Sequence, residues 1–370
     1  MASTAQPVLS TRALNRATLE RQLLLRRTPM SALHAVEHLV GLQAQNPGPP
    51  YFALAARLDG FRPDELSGLM ETRQVARIVS MRSTLHTHTA DDVLALRPLV
   101  QPARDREVSL FRKGLAGVDL DVLAAMTREL VEERPRTPKE IRTALLARWP
   151  DADPLALTVA ARCLLPLVQV TPRGLWGRGG QVALTTAEVW LGRAPGPVPE
   201  NADDTVLRYL GAFGPASVKD MQTWSGLTRL RESFERLRPR LLTFRDPYGA
   251  ELFDLPDAPR PDPETPAPPR FLPEFDNLLL SHADRTRVVP GEHKNRTWTG
   301  NQALRTFLVD GFLAGTWRLE ETGDTATITV RPFTALDRAA RAALVAEGER
   351  TLAALSAAPS RDVRFDEPDA

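Results

Sequence analysis

Residues 9–27 place Leu14, Leu19, Leu23 and Leu24 at helical spacing with arginines between them, which predicts a first amphipathic helix capped by Ser10 or Thr11. A second helix is predicted over 31–42 on Leu33, Val36, Leu39 and Val40. The run Asn46-Pro47-Gly48-Pro49-Pro50 must end it, since proline removes backbone donors and biases its predecessor away from helix. Segments 51–58 and 63–72 predict two further short helices, the latter with Pro63 in its first turn. The pattern then changes. Residues 75–89 are rich in β-branched side chains and partly alternate, which predicts a strand or hairpin carrying Arg82, Ser83, His86 and His88 near its end.

Helical spacing returns at 121–133, at a helix opened by Thr137, Pro138 and Glu140, and at 154–165. Strands are predicted at 167–170 and 181–184 around a Gly- and Arg-rich turn, 171–180. A clearer version of this order follows. Helices are predicted over 205–213, 217–224 and 227–237, then strands over 241–244 and 251–255 around Asp246-Pro247-Tyr248-Gly249. Three helices and a hairpin are the winged-helix order, whose third helix commonly enters a DNA groove. Residues 117–199 and 200–257 fit it, and 1–116 fit it with extra helices. The proline-rich stretch 258–270 predicts a linker. Beyond it, an apolar segment interrupted by Asp276-Asn277, strands at 315–320 and 325–330, and a helix over 335–357 predict a small β-rich domain, 271–370. The expected class is α+β, mainly α with β-hairpins.

Composition adds bounds. At 370 residues the chain exceeds one ordinary core, and 42% hydrophobic with 25% charged residues is the balance of a soluble globular protein. No apolar run approaches the ~18 residues of a membrane span. Residues 1–9 lack the basic-then-apolar pattern of a leader, so a cytoplasmic protein is expected. Net charge is +1, yet residues 1–150 carry 21 Lys/Arg against 16 Asp/Glu. The basic side is almost all arginine, with only four lysines in the chain. Arginine suits phosphate recognition, and a GC-rich genome produces the same bias. The single cysteine, Cys163, lies in an apolar run and reads as a buried small residue, which leaves no disulfide framework and no cysteine-based zinc site.

The candidate chemistry centres on Gln43-Ala44-Gln45, two amides before the Pro/Gly break. They either tie down a helix end and its loop or position something bound. His34 and His38, in an H-x-x-E-H pattern, share a helix face, but no third zinc ligand is evident, and they read as a helix-surface pair rather than a metal site. His86 and His88 share a strand face and either meet a DNA groove or serve the fold. The turn 173–180 lacks the Gly-Lys-Ser/Thr ending of a phosphate loop.

Several stretches together resemble a known family. Arg12–Leu19, Gly41-Leu42-Gln43-Ala44-Gln45, Met81-Arg82-Ser83-Thr84-Leu85-His86, Trp224-Ser225-Gly226-Leu227 and Leu272-Pro273-Glu274-Phe275-Asp276-Asn277-Leu278-Leu279 resemble, in order and over nearly the whole chain, the bacterial winged-helix DNA glycosylases that include azinomycin-resistance and crosslink-unhooking enzymes. The resemblance implies three tandem winged helices in a C shape followed by a C-terminal β-domain. It implies a monofunctional glycosylase acting on N7-alkylated purines and interstrand crosslinks in double-stranded DNA, without a cofactor or metal and as a monomer. The family motif is Gln-apolar-Gln in one branch and Gln-apolar-Asp in another. This chain has the first form, which makes Gln43 and Gln45 the catalytic candidates. Asn46, Arg82, His86, Arg229, Arg231, Arg285, Arg287 and Lys294 are the candidate DNA contacts. Ser83 stands where the resemblance leads one to expect glycine. A non-catalytic winged-helix regulator is the alternative from another class.

Overall fold

The computed structural model describes residues 6–300 and 302–368; most of the segment read for a leader lies outside them. The first helix spans Thr11–Arg21, with Ser10 Oγ accepting from the Ala13 amide. It is shorter than the apolar spacing predicts because Leu23 adopts φ 59°, which turns the chain. Leu14, Leu19 and Leu24 are buried, whereas Leu23 is half-buried. Helices Ala32–His38, Pro49–Arg57 and Pro63–Glu71 follow.

The amide stretch does not sit at a helix end. Val40 at φ 54° and Gly41 at φ 91° turn the chain out of the helix before the prolines are reached. Leu42–Gln43 then forms a short strand, β1. With β2 (Val75–Val79), β3 (Leu85–Thr89), β4 (Leu167–Gln169) and β5 (Leu184–Thr186) it builds an antiparallel sheet in the order β1-β3-β2-β4-β5. The predicted hairpin 75–89 is present, and it shares this sheet with the hairpin of 167–186. The strand expected at 181–184 lies at Leu184–Thr186 instead, because Leu184 also exchanges two backbone hydrogen bonds with Arg136 and so fixes the register.

Helices Asp203–Phe213, Val218–Ser225 and Arg231–Leu237 lead into the hairpin of β6 (Leu242–Arg245) and β7 (Glu251–Asp254). The third helix starts later than predicted, because Arg229 adopts φ 60° and cannot belong to it. The proline-rich connector is anchored at several points. Arg16 Nε donates to Thr265 O at 2.7 Å, and Arg260 pairs with Asp254 at 2.6 Å.

The last sheet has the order β14-β13-β12-β11-β8, from β8 (Arg270–Leu272), β11 (Thr306–Val309), β12 (Phe312–Thr322), β13 (Thr325–Pro332) and β14 (Ser360–Phe365). A small hairpin of β9 (Trp298–Thr299) and β10 (Gln302–Ala303) precedes β11. β14 has no counterpart in the sequence reading, because its charged residues hide an edge strand. It runs parallel to β13, a pairing that needs a crossover, and the helix Arg338–Leu355 supplies it.

One apolar core joins the early helices to this last sheet: Phe52 meets Trp317 edge-on at 5.7 Å, and Leu344 and Leu352 close it. Polar groups fasten the same halves. Asn15 donates to Arg287 O and Gly311 O, both at 2.8 Å, while Arg12 and Arg16 pair with Asp310. Arg57 and Asp276, both fully buried, form a two-pronged pair at 2.9 and 2.8 Å. The class is mixed α+β. Among the described residues no helix is long and apolar enough to cross a membrane.

Candidate active site

Three of the stretches quoted above converge on Gln43. β1 pairs with β3 in a register that sets Gln43 opposite His86. Gln43 is only 6% exposed. Its side-chain oxygen accepts from Arg82 Nη2 at 2.7 Å. A guanidinium only donates, so the amide must turn its oxygen, not its nitrogen, toward Arg82. Gln45 lies past the end of β1 and is exposed. Its side-chain oxygen accepts from the Leu85 amide at 3.3 Å, a backbone donor at the start of β3, just past the end of β1. The two amides thus offer two oxygens, one on a buried side chain held by Arg82 and one on an exposed side chain held by the Leu85 amide.

Arg82 is set by its backbone. Arg82 and Ser83 adopt φ 52° and 59°, two consecutive left-handed residues at the hairpin turn. Positive φ accounts for the glycine expected at Ser83. Serine is held there by a short hydrogen bond from its Oγ to Glu107, which also receives Arg162 at 2.6 Å. Arg82 Nη1 donates to the carbonyl of Trp224. Gly226, which ends that helix at φ 76°, lets the chain approach closely, since a Cβ there would lie 3.2 Å from the Arg82 amide. Burial pushes the Arg82 guanidinium down to about 10, so it remains a cation at neutral pH.

Gly41 and Asn277 hold the stretch from behind. Asn277 donates to Gly41 O at 2.8 Å. A Cβ on Gly41 would lie 2.2 Å from His88 Nδ1, so the glycine is required by both its φ and the ring beside it. Asn46 donates to Glu274 at 3.3 Å, and Glu274 pairs with Arg305 at 3.0 Å. Arg77, in the middle of β2, donates from Nη2 to Ala44 O at 2.8 Å, between the two glutamines. It is 2% exposed, and its Nε and Nη1 have no partner among the described residues. Burial, then the nearby Arg173, push it down to about 10. Sequence reasoning missed Arg77 and Asn277. Their signal was a polar residue within an apolar run, Val-Ala-Arg-Ile-Val in one case and Phe-Asp-Asn-Leu-Leu in the other.

The candidate DNA contacts divide by burial. Arg229 and Lys294 are exposed; Arg231 is exposed and pairs with Glu235 at 3.4 Å. Arg285 is half-buried, with Nη1 3.4 Å from Leu279 O. Arg287 and His86 are corrected: neither is exposed enough to meet a phosphate. Arg287 is enclosed and donates to Pro215 O at 2.7 Å. His86 is 1% exposed, with Nδ1 3.0 Å from Thr84 O and Nε2 facing Arg82.

His86 and His88 stack at 5.4 Å, and His88 Nε2 meets Ser80 Oγ at 2.8 Å. His38 Nε2 is engaged by Arg21 O at 2.7 Å. Among the described residues no three His, Cys, Asp or Glu are grouped to hold a metal. Burial pushes His88 down to about 4, opposed by Asp92 and reinforced by Arg208; burial, then Arg82 and His88, lower His86 well below its ordinary value too. The unfolded chain therefore takes up these protons near pH 6.5, while the folded protein refuses His88's until about pH 4. Stability is full above pH 6.5 and falls as pH drops toward 4, with His88 contributing on the order of 3 kcal/mol. Denaturant midpoints from pH 7 to 4 should fall less steeply in His88→Gln than in the wild type. Equal slopes would refute this account of His88. Cys163, fully buried and pushed up to about 11 by its burial, is the inert residue expected.

A family model described as DNA glycosylase AlkZ-like matches residues 36–354. An interstrand DNA cross-link repair glycosylase of Streptomyces sahachiroi is 26% identical over 346 residues, covering 86% of this chain and 90% of that protein. The solved structure of the Streptomyces sahachiroi DNA glycosylase AlkZ matches with a TM-score of 0.79 and 21% identity, covering 97% of this chain and 100% of that one. At that identity the structural match speaks for the fold, while the family match takes in the amide stretch and each residue that braces it. The chain belongs to the AlkZ-like family of DNA glycosylases, hydrolases that act on N-glycosyl bonds.

Proposed function

We propose that this protein hydrolyses the N-glycosidic bond of N7-alkylated purines in duplex DNA, including the unhooking of interstrand crosslinks, with Gln43 and Gln45 as the catalytic residues. The observation that carries the reading is the pair of amide oxygens, one fixed by Arg82 and one held by the Leu85 amide just past the end of β1. A base alkylated at N7 already bears positive charge and leaves as a neutral molecule, so no general acid is needed. What remains is to place a water and to tolerate an oxocarbenium-like sugar. A glutamine is no base near neutral pH, but its carbonyl can accept from a water and turn its dipole toward positive charge. Arg82 occupies one lone pair of the Gln43 oxygen and leaves the second for that water. The Arg82 cation opposes a developing positive charge, and a phosphate of bound DNA would offset it.

The same reading takes 1–116, 117–199 and 200–257 as three tandem winged helices in a C shape, 258–270 as their linker and 271–370 as the C-terminal domain. It places the protein in the cytoplasm as a monomer. Exposed arginines such as Arg229 would meet the DNA backbone, so affinity should fall linearly on a log–log salt plot. The test is incubation with duplex DNA carrying one N7-alkylguanine or an N7-linked crosslink, followed by detection of abasic sites. Release above background is expected. Intact duplex binding with no release would overturn the proposal and leave a DNA-binding regulator.

A further inference from the structure

The cation that orients the Gln43 oxygen stands on a turn that its own residues do not favour. Met81–Thr84 closes the hairpin of β2 and β3, with the Thr84 amide donating to Met81 O at 3.0 Å. The two central residues, Arg82 and Ser83, both have positive φ, 52° and 59°. That is the backbone of a type I′ turn, which asparagine followed by glycine adopts most readily. Arginine and serine both resist it, because a Cβ crowds the carbonyl in the left-handed region. A contact from outside the turn must hold it. The helix Gln101–Leu110 supplies that contact, since Glu107 Oε2 accepts from Ser83 Oγ. The other oxygen, Oε1, takes Arg162 Nη2 at 2.6 Å, from the helix Pro154–Leu164. Arg104 Nη1 lies 3.3 Å from Oε2, and Cys163 Sγ donates to it at 3.4 Å. Burial alone would raise this carboxyl, but the Ser83 hydroxyl, Arg162 and Arg104 outweigh it and hold it below the usual carboxylate range. Glu107 is thus ionised at neutral pH and can only accept, so Ser83 must donate. The preceding residue grips the other side: Arg106 Nη2 donates to Gly226 O at 3.1 Å, and Gly226 is the residue that packs against the Arg82 amide.

We propose that Glu107 is a positioning residue for base release: by holding Ser83 in the left-handed region it keeps Arg82 directed at the Gln43 oxygen. The proposal rests on the glycosylase reading and extends it to a residue that has no hydrogen bond to either glutamine among the described residues. From this backbone Arg82 spans two acceptors, Gln43 Oε1 with Nη2 and Trp224 O with Nη1. A turn that relaxes to negative φ swings the Cα–Cβ bond of residue 82 and takes the guanidinium off both. The Gln43 amide then loses the donor that decides which of its two ends faces Arg82. Glycine at position 83 would adopt the turn unaided. Serine needs the carboxylate, so Ser83 and Glu107 act as one unit in place of a glycine. Their effect is on orientation and not on contact with DNA. It belongs to the rate of the bound complex and leaves duplex affinity alone.

The test uses the full-length protein and a duplex with one N7-methylguanine, read by single-turnover release beside a binding isotherm. Ser83→Ala removes the hydroxyl and keeps every ion pair of Glu107. It should slow release by roughly tenfold, short of the ~100-fold that a 1 Å misplacement can cost, with duplex affinity held. Ser83→Gly, which needs no hydroxyl to make the turn, should be clearly faster than Ser83→Ala. Glu107→Ala should be as slow as Ser83→Ala, and adding Ser83→Gly to it should recover most of the loss. Wild-type release by Ser83→Ala would overturn the proposal, and so would equal rates for Ser83→Ala and Ser83→Gly. No recovery in the double variant would also overturn it, leaving Glu107 as a counter-charge for Arg104 and Arg162 alone. Should Glu107→Ala fail to fold, the two Ser83 variants decide. Failure of the wild type to release the base would instead overturn the glycosylase reading. Crystal structures of the Ser83 variants then settle the positioning role: the contact between Arg82 and Gln43 is expected in Ser83→Gly and lost in Ser83→Ala, and its retention in Ser83→Ala would overturn the proposal.

Discussion

Gln43→Ala is expected to lower base release by about two to three orders of magnitude, the scale of losing one preorganised polar group at a reacting centre. Duplex affinity should stay close to that of the wild type. The side chain is 6% exposed, so it offers little contact area to DNA, and its carbonyl is already oriented by Arg82. Removing it deletes the oriented oxygen and leaves the Arg82 cation facing the sugar with nothing between them. Both effects disfavour a positively charged transition state. Gln45→Ala should give a smaller loss, because that amide is exposed and is held only by a 3.3 Å bond from Leu85. Single-turnover release from an N7-alkylguanine duplex, beside a binding isotherm, measures both. Wild-type release by Gln43→Ala would place the chemistry elsewhere in the protein.

Asp276→Ala is expected to destabilise the protein by about 3–5 kcal/mol, the usual cost of leaving one member of a buried ion pair unpaired. Arg57 and Asp276 are both fully buried and bonded through two nearly parallel hydrogen bonds. Asp276 also caps the helix Asn277–Leu280 by accepting from the Leu278 amide at 3.0 Å. Arg57 would keep its bonds to Gln22 O and Ala53 O but lose the carboxylate it is paired with. The loss should reach the site as well, since Asn277 next in the chain holds Gly41 O and with it the start of β1. The double variant Arg57→Met with Asp276→Ala should recover part of the stability, because it removes the stranded cation. Equilibrium denaturation of the three variants gives the answer. A loss below about 1 kcal/mol in Asp276→Ala would show that the pair does not hold these halves together.

The element types were legible in the sequence wherever local chemistry decides them. Thr137, Pro138 and Glu140 open their helix with a complete capping box, and Ser217 opens another in the same way. The strands read at 315–320 and 325–330 are both present, within Phe312–Thr322 and Thr325–Pro332. Errors arose where a distant partner or a left-handed backbone angle overrides local preference. The strand expected at 181–184 moved because Arg136 claims Leu184, and the helix expected at 227–237 lost its first turn to Arg229. Arg287 and His86 show the same limit in the list of DNA contacts. An arginine in a polar loop and a histidine in a strand are equally at home on a surface and in a core. Only their long-range neighbours put both inside.

By itself the sequence determined the two glutamines and their spacing, the α+β class, the inert Cys163 and the order of helices and hairpins. These follow from side-chain type and from periods of two and 3.6 residues, which are local properties. The tertiary structure alone decided what the glutamines can do. It moved them from a helix end to a sheet edge through two positive φ angles, fixed the Gln43 oxygen with Arg82 from the next hairpin, and set Arg77 beneath Ala44. It also brought Trp224 and Asn277 from much later in the chain to hold the arrangement. The physical reason is that an amide's role depends on which donor meets its oxygen, and here those donors and their supports lie between 33 and more than 200 residues away in sequence.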